Sequence, residues 1–235
     1  MKWIYSLITL QPKFKLIITF KFVNISIVKK LLLVFIFGTM ISFGQEKRND
    51  LIIQGSIFKV SYNEVYQQPN WIEYKVRNIS KNFNRKGLDF YVVDSVFTSD
   101  NLDYKNNIWD KGHLAPAAAF SDTKENLNAT FSFLNCVLQH NNLNRYEWAQ
   151  LEREIRKWAS LYKEDLNVRI EVLFDPNHQT LSSGAHIPTA FNKIIVFPDG
   201  TSKCFYFRNQ PTNGRDWTEF EVQCDYITLN GSLLE

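Results

Sequence analysis

DKGHLAPAAAF, residues 110–120, and TFSFLNCVLQHNNLNRYEWAQLE, residues 130–152, are the stretches on which the reading of this chain turns. In the first, His113 follows a glycine at the end of a strand-like approach. Glycine lets the backbone come close to a bound group, and a neutral imidazole takes up a proton near pH 7. In the second, Asn144 and Glu152 stand eight residues apart. On a straight α-helix that spacing leaves them about 80° apart around the axis, two turns removed. Arg156 continues the same row.

The helix itself is legible. Trp148, Leu151, Ile155, Trp158 and Tyr162 recur at spacings of three and four, with charges on the other face, which predicts a helix over 144–162 beginning at Asn144, a residue suited to the N-cap. Trp148 and Trp158 belong to its buried stripe. An amide oxygen and a carboxylate on one helix face are hard oxygen donors, suited to Mg²⁺ that keeps most of its waters. A guanidinium beside them suits a phosphate. A base, a hard-cation site and a guanidinium together describe metal-assisted hydrolysis of a phosphodiester.

Outward from this region the chain alternates strands and turns. Strands are expected near residues 57–62, 71–76, 89–97, 168–174, 192–197 and 203–208, with polar loops at 77–87 and 98–112. One amphipathic helix among many strands gives an α+β class with an antiparallel sheet core. Of the three cysteines, Cys204 and Cys224 both fall in the strand-rich C-terminal part and form the better pair, while Cys136 lies in an apolar run and reads as a buried thiol. An odd count allows one pair and one free thiol, or no pair.

The 235 residues carry a formal charge of +3, but the first 44 hold six lysines and no acid. Without them, 21 bases face 24 acids, a balance of −3 over 191 residues. That length suffices for one domain, 45–235, with its own core. Net charge makes no case for a polyanionic partner, so any such case must come from a local site. Lys29-Lys30 followed by LLLVFIFGTMISF, residues 31–43, reads as a secretory signal, with cleavage before Gln45. Residues 1–44 are thus an N-terminal extension plus signal, and the chain is expected to be secreted or periplasmic. An uncleaved membrane anchor is the alternative.

The motif residues also resemble a known family. Asp110-Lys111-Gly112-His113 is similar to the Asp-Arg-Gly-His signature of the DNA/RNA non-specific endonucleases, the ββα-metal or His-Me finger nucleases. Leu134-Asn135-Cys-Val-Leu138-Gln139 resembles that family's Ser-Asn-x-x-Pro-Gln, and Asn144-x-x-x-Trp148-x-x-Leu151-Glu152 its Asn-x-x-x-Trp-x-x-Leu-Glu. His186-Ile-Pro-Thr-Ala-Phe-Asn-Lys193 is similar to its Val-Pro-Thr-x-Phe-x-Lys strand, and Arg85 with Phe90 and Asp94 to its early Arg-containing segment. The resemblance spans residues 68–200. It implies a ββα-metal active site, with His113 as general base, Asn144 as direct ligand of Mg²⁺ or another divalent cation such as Mn²⁺, and Glu152 holding the metal through water. It further implies phosphate contacts from Arg156, Arg85 and Lys111. Asn135 and Gln139 are carried over as substrate-binding candidates, with a scaffold role as the competing reading. DNA, RNA or both would be the substrate.

Lys111 stands where the family has arginine, keeping the charge and losing the bidentate fork. A non-catalytic nucleic-acid-binding relative is therefore one competing function, and an uncleaved N-terminal anchor would make an envelope-anchored structural protein of the same fold another. Arg77 and Lys86 compete with Arg85 for its role. His140, His178 and His186 have no partner spacing and read as structural or surface residues. An inhibitor or immunity protein is a partner class the sequence leaves open.

Overall fold

The computed structural model describes residues 47–229. The signal and anchor readings of residues 1–44 lie outside them. No helix among the described residues is long and apolar enough to cross a membrane.

Seven strands form one antiparallel sheet: β1 (Leu51–Gln54), β2 (Phe58–Asn63), β3 (Gln68–Val76), β6 (Leu166–Leu173), β7 (Ala190–Val196), β8 (Ser202–Arg208) and β9 (Glu221–Val222), adjacent in that order. Side chains two apart along each strand share a face. Val60 and Tyr62, Ile72 and Tyr74, Val168 and Ile170, Phe191 and Ile195, and Phe205 and Phe207 are all buried in one cluster. The main helix covers this face. It rises through a single turn (Asn141–Leu143) and a π-helical turn (Asn144–Trp148) into α2 (Ala149–Tyr162). Leu151, Ile155 and Ala159 point into the sheet, and Trp148 packs edge-on against Phe191 and Phe207 with ring centroids 5.5 Å apart. Lys163 ends the helix in the left-handed conformation, its N–H donating to the Ala159 carbonyl. The Cys204–Cys224 disulfide and Ile227 of α3 (Cys224–Leu229) cover the opposite face of β7 and β8. Cys136 is buried and unpaired.

A second, two-stranded sheet pairs β4 (Trp109–His113) with β5 (Cys136–His140). Between them runs an irregular excursion with one short helix, α1 (Lys124–Ala129). Two buried amides fix this pair to the large sheet. Gln68 accepts from the Leu138 N–H at 3.0 Å. Asn209 accepts from the His140 N–H at 2.7 Å and donates to the Leu138 carbonyl at 2.8 Å. Strand, strand and helix follow in chain order, so the α+β class with an antiparallel core and a ββα unit describes the molecule.

Three local expectations are corrected. Residues 89–97 do not form a strand. Phe90 is buried but Tyr91 and Val92 are both exposed, so the segment lacks a consistent inner face, and its backbone bonds go to Phe131 and Phe133 instead. Residues 109–112 belong to β4 rather than to a turn. Asp110, Lys111 and Gly112 are poor strand formers, and pairing with β5 overrides that preference. Asn144 does not cap the helix; the His140 ring accepts from the Asn142 N–H at 3.2 Å, one turn earlier.

The disulfide closes a separation of 20 residues. Replacing both Cys204 and Cys224 with alanine is expected to lower unfolding stability by about 3 kcal/mol, the loop-closure value for that length. Urea unfolding of the double variant checks this, and an unchanged midpoint would contradict it.

Candidate active site

A cleft of about 830 Å³ opens where β4, the helix and the 81–90 loop meet. Arg85, Lys111, His113, Asn144, Glu152 and Arg156 all line it. Residues 71 positions apart in sequence thus share one cavity. Of the three basic candidates Arg77, Arg85 and Lys86, only Arg85 lines the cleft. Arg77 lies 3.3 Å from Asp122, and Arg85 faces the cleft.

His113 is the last residue of β4. Its ring lies against Phe90 and Phe131, with centroids 4.6 and 4.9 Å away. Nε2 is shut off from solvent without a hydrogen-bond partner. Burial, with Arg85 nearby, pushes the imidazole pKa down to about 3. Gly112 makes this placement workable. A Cβ there would come within 2.6 Å of the Gln139 Cβ and would also strike its Oε1. Gln139 is fully buried opposite Asp110 in the strand register. Asn135 is equally buried. Its amide accepts from the Ala115 N–H at 2.7 Å and donates to the Ala115 and Thr130 carbonyls at 2.9 and 2.8 Å. Neither residue lines the cleft, which favours the scaffold reading: Asn135 holds the turn that follows His113, and Gln139 packs over Gly112.

Asn144 begins the π-helical turn. Its Nδ2 donates to Asp110 Oδ2 at 2.9 Å. The adjacent Arg145 grips the same carboxylate through two bonds of 2.8 and 2.7 Å. An ionised carboxylate only accepts, so Asp110 selects the amide's NH₂ and leaves Oδ1 as the free acceptor. Burial raises the Asp110 pKa, but the bonds from Arg145 and Asn144 outweigh it and the net shift is downward. The π turn changes the rotation per residue, so the 80° expected from a regular α-helix does not carry over.

Glu152 lies one turn into α2. Burial raises its pKa, opposed by Lys193 and Arg156. Among the described residues Arg156 forms no ion pair within 4 Å, and its Nη1 is buried without a partner. Lys111 reaches Asp89 at 2.6 Å. Lys81, Arg145 and Arg153 also line the cleft. A chain whose domain is net acidic therefore concentrates cations around one cavity, which focuses positive potential there.

No group of three or more His, Cys, Asp or Glu side chains among the described residues is arranged to hold a metal. Of the oxygen donors lining the cleft, Asp89 is paired with Lys111, while the Asn144 amide and the Glu152 carboxylate lie on one helix. That donor set fits a hard divalent cation retaining several waters and does not fit zinc.

The model of the DNA/RNA non-specific endonuclease family matches residues 38–230. The chain belongs to that family. Among similar proteins, Nuclease C1 of Cunninghamella echinulata var. echinulata is 31% identical over 125 residues, covering 48% of this chain and 49% of its own. The mitochondrial nuclease of Saccharomyces cerevisiae is 28% identical over 201 residues, 73% of this chain and 61% of its own. The chain thus spans about half to three-fifths of the length of these two relatives. A solved EndoG/EndoGI complex matches the fold with a TM-score of 0.67 at 23% identity, over 77% of this chain and 83% of that one.

Within this family member, sequence reasoning left several buried or paired polar residues unassigned, Asp110 and Lys193 beside the site among them. Asp110 sits in the quoted motif but was given no role, because its partner Asn144 is 34 positions away. Lys193 is fully buried on the core face of β7, its Nζ 3.4 Å from the Trp148 ring centroid. A lone lysine within the apolar run NKIIVF was its signal. Burial pushes its pKa down to about 7, with Glu152 pulling upward and Arg156 further down. His178 and His186, read as unpartnered, share a hydrogen bond of 2.6 Å.

The depressed His113 pKa has a consequence for stability. In the unfolded chain the ring binds a proton near pH 6.5; in the fold it does so only near pH 3. Between these values the unfolded state holds more protons, so stability falls as pH drops below about 6.5, by at most about 1.4 kcal/mol per pH unit for one such site. Urea midpoints measured from pH 7 to 5 are expected to fall more steeply for the wild type than for His113→Gln. Equal slopes would contradict the neutral, half-buried imidazole.

Proposed function

We propose that this chain is a divalent-cation-dependent, sugar-non-specific endonuclease that hydrolyses phosphodiester bonds of DNA and RNA, with His113 as general base. The observation that carries the reading is that His113, the Asn144–Glu152 pair and a set of guanidinium and ammonium groups line a single cleft. Asn144 Oδ1 would hold the cation directly and Glu152 would hold it through water; Mg²⁺ fits this donor set, with Mn²⁺ as a close substitute. Bound there, the cation supplies positive charge to the phosphate oxygens as they gain charge in the transition state.

The chain's own groups do the rest. Arg85, Arg156 and Lys111 draw the phosphodiester into the cleft and orient it. Lys111 acts as a point charge positioned by Asp89. With the ring proton on the enclosed Nε2, the Nδ1 lone pair of His113 takes a proton from the attacking water. The phosphorus–oxygen bond to the leaving 3′-oxygen breaks, and that oxygen takes its proton from water. None of these contacts needs a base edge or a 2′-hydroxyl, which supports low sequence preference and use of both sugars.

We also propose that the protein acts outside the cytoplasm, secreted or periplasmic, with membrane anchoring as the alternative. The apolar run after Lys29-Lys30 and the Cys204–Cys224 disulfide support export to an oxidising compartment. An inhibitor protein is a candidate partner, since the EndoG of the solved complex is bound by one.

Purified protein is expected to nick supercoiled plasmid and to degrade RNA in Mg²⁺, and to stop in EDTA. His113→Ala is expected to lose at least about a hundredfold in rate. Cleavage that survives EDTA, or a fall below about tenfold in His113→Ala, would overturn the assignment. Tight nucleic-acid binding without any cleavage would favour the non-catalytic relative, for which the Lys111 substitution is the supporting observation.

A further inference from the structure

The loop at residues 81–85 contributes Lys81, Phe83, Asn84 and Arg85 to the cleft. Phe83 is 46% exposed. Its ring joins none of the hydrophobic clusters among the described residues. Nor does it pair with another ring or cation there. An exposed phenylalanine with no packing partner contributes little to folding and leaves apolar surface in water. Yet its backbone is held in place. The N–H groups of Asn82 and Phe83 both donate to the Ser121 carbonyl, at 2.9 and 3.0 Å, fixing the loop at the rim of the cleft. Phe90 differs: it is buried and spends its ring on His113, Phe131 and Phe133.

Lys81, Phe83 and Arg85 alternate, cation, ring, cation. Cations flanking an open aromatic face are the chemistry that takes a nucleic-acid strand, phosphates on the charges and a base on the ring. Stacking tolerates any base, because every base has a π-face. It also requires the base to be free of its own stack, which favours single-stranded substrate.

We infer that Phe83 is a stacking platform for an unpaired nucleobase beside the phosphate held in the cleft, making this loop a single-strand binding subsite. The inference rests on the nuclease reading of the same cleft. Its test is therefore made on binding, with cleavage switched off.

Fluorescein-labelled oligothymidylate of about eight nucleotides, a length within the usual single-strand site size, is titrated in EDTA with full-length wild type, Phe83→Ala and Phe83→Trp. A strand of the same length with every base replaced by an abasic unit serves as the second probe. Phe83→Ala is expected to weaken binding of oligothymidylate by about tenfold, the scale of one lost base stack. It should leave the abasic strand within about twofold, since phosphate contacts are untouched. Phe83→Trp should restore the loss. Equal effects on both strands, or none on either, would overturn the subsite while leaving the nuclease reading intact. Failure of the wild type to bind either strand in EDTA would overturn the subsite, and only an added failure to cleave in Mg²⁺ would remove the nuclease reading with it. Melting temperatures of the variants should match the wild type, as the ring packs into no core.

Discussion

One carboxylate joins the two halves of the site. Asp110, on β4, accepts from the Asn144 amide and from the Arg145 guanidinium at the start of the helix. His113 lies three residues further along the same strand, and Glu152 two turns further along the same helix. The carboxylate therefore sets the helix against the strand and, at the same time, decides which atom of the Asn144 amide it leaves free, the atom proposed above to meet a cation. A ligand oriented by a hydrogen bond from behind is more effective than one free to rotate. Two bonds from Arg145 keep Asp110 ionised and in place, so the cost of ordering the site is met within the fold.

The remaining structure serves that junction. The large sheet gives the helix a flat apolar face, and Trp148 anchors the π turn against Phe191 and Phe207. A π turn beneath a functional residue is a recurrent way to re-aim side chains along a helix. Here it falls on Asn144 itself. Gln68 and Asn209 pin the β4–β5 pair to the sheet through buried amide bonds. Gln139 fills the space over Gly112, and Asn135 closes the turn after His113. Cations then crowd the open side. Their concentration explains how a domain with more acids than bases still presents an electropositive cavity.

The sequence disclosed the helix, most strands of the large sheet and the residues around the cleft, because those depend on short-range periodicity and spacing. Leu151 and Ile155 declare their buried face by pattern alone. What it concealed depends on contacts between distant segments. Asp110 could not be matched with Asn144, nor Gly112 with Gln139, from one strand's composition. The strand Trp109–His113 was hidden because charged residues and glycine disfavour strands until a partner supplies the pairing. Residues 89–97 misled in the opposite direction: β-branched and aromatic residues accumulated there without a face to bury. For Asn135 and Gln139 the sequence left scaffold and substrate contact side by side, because motif position does not report depth.

The account stands or falls on whether Asp110 organises a cation site on the helix that is separate from the base on the strand. Mn²⁺ affinity, measured by calorimetry on the wild type, Asp110→Ala and His113→Ala, tests this most directly. Asp110→Ala is expected to weaken Mn²⁺ binding by about tenfold or more, the usual cost of removing an orienting partner, while His113→Ala binds as the wild type does. Unchanged affinity in Asp110→Ala, or lost binding in His113→Ala, would contradict it.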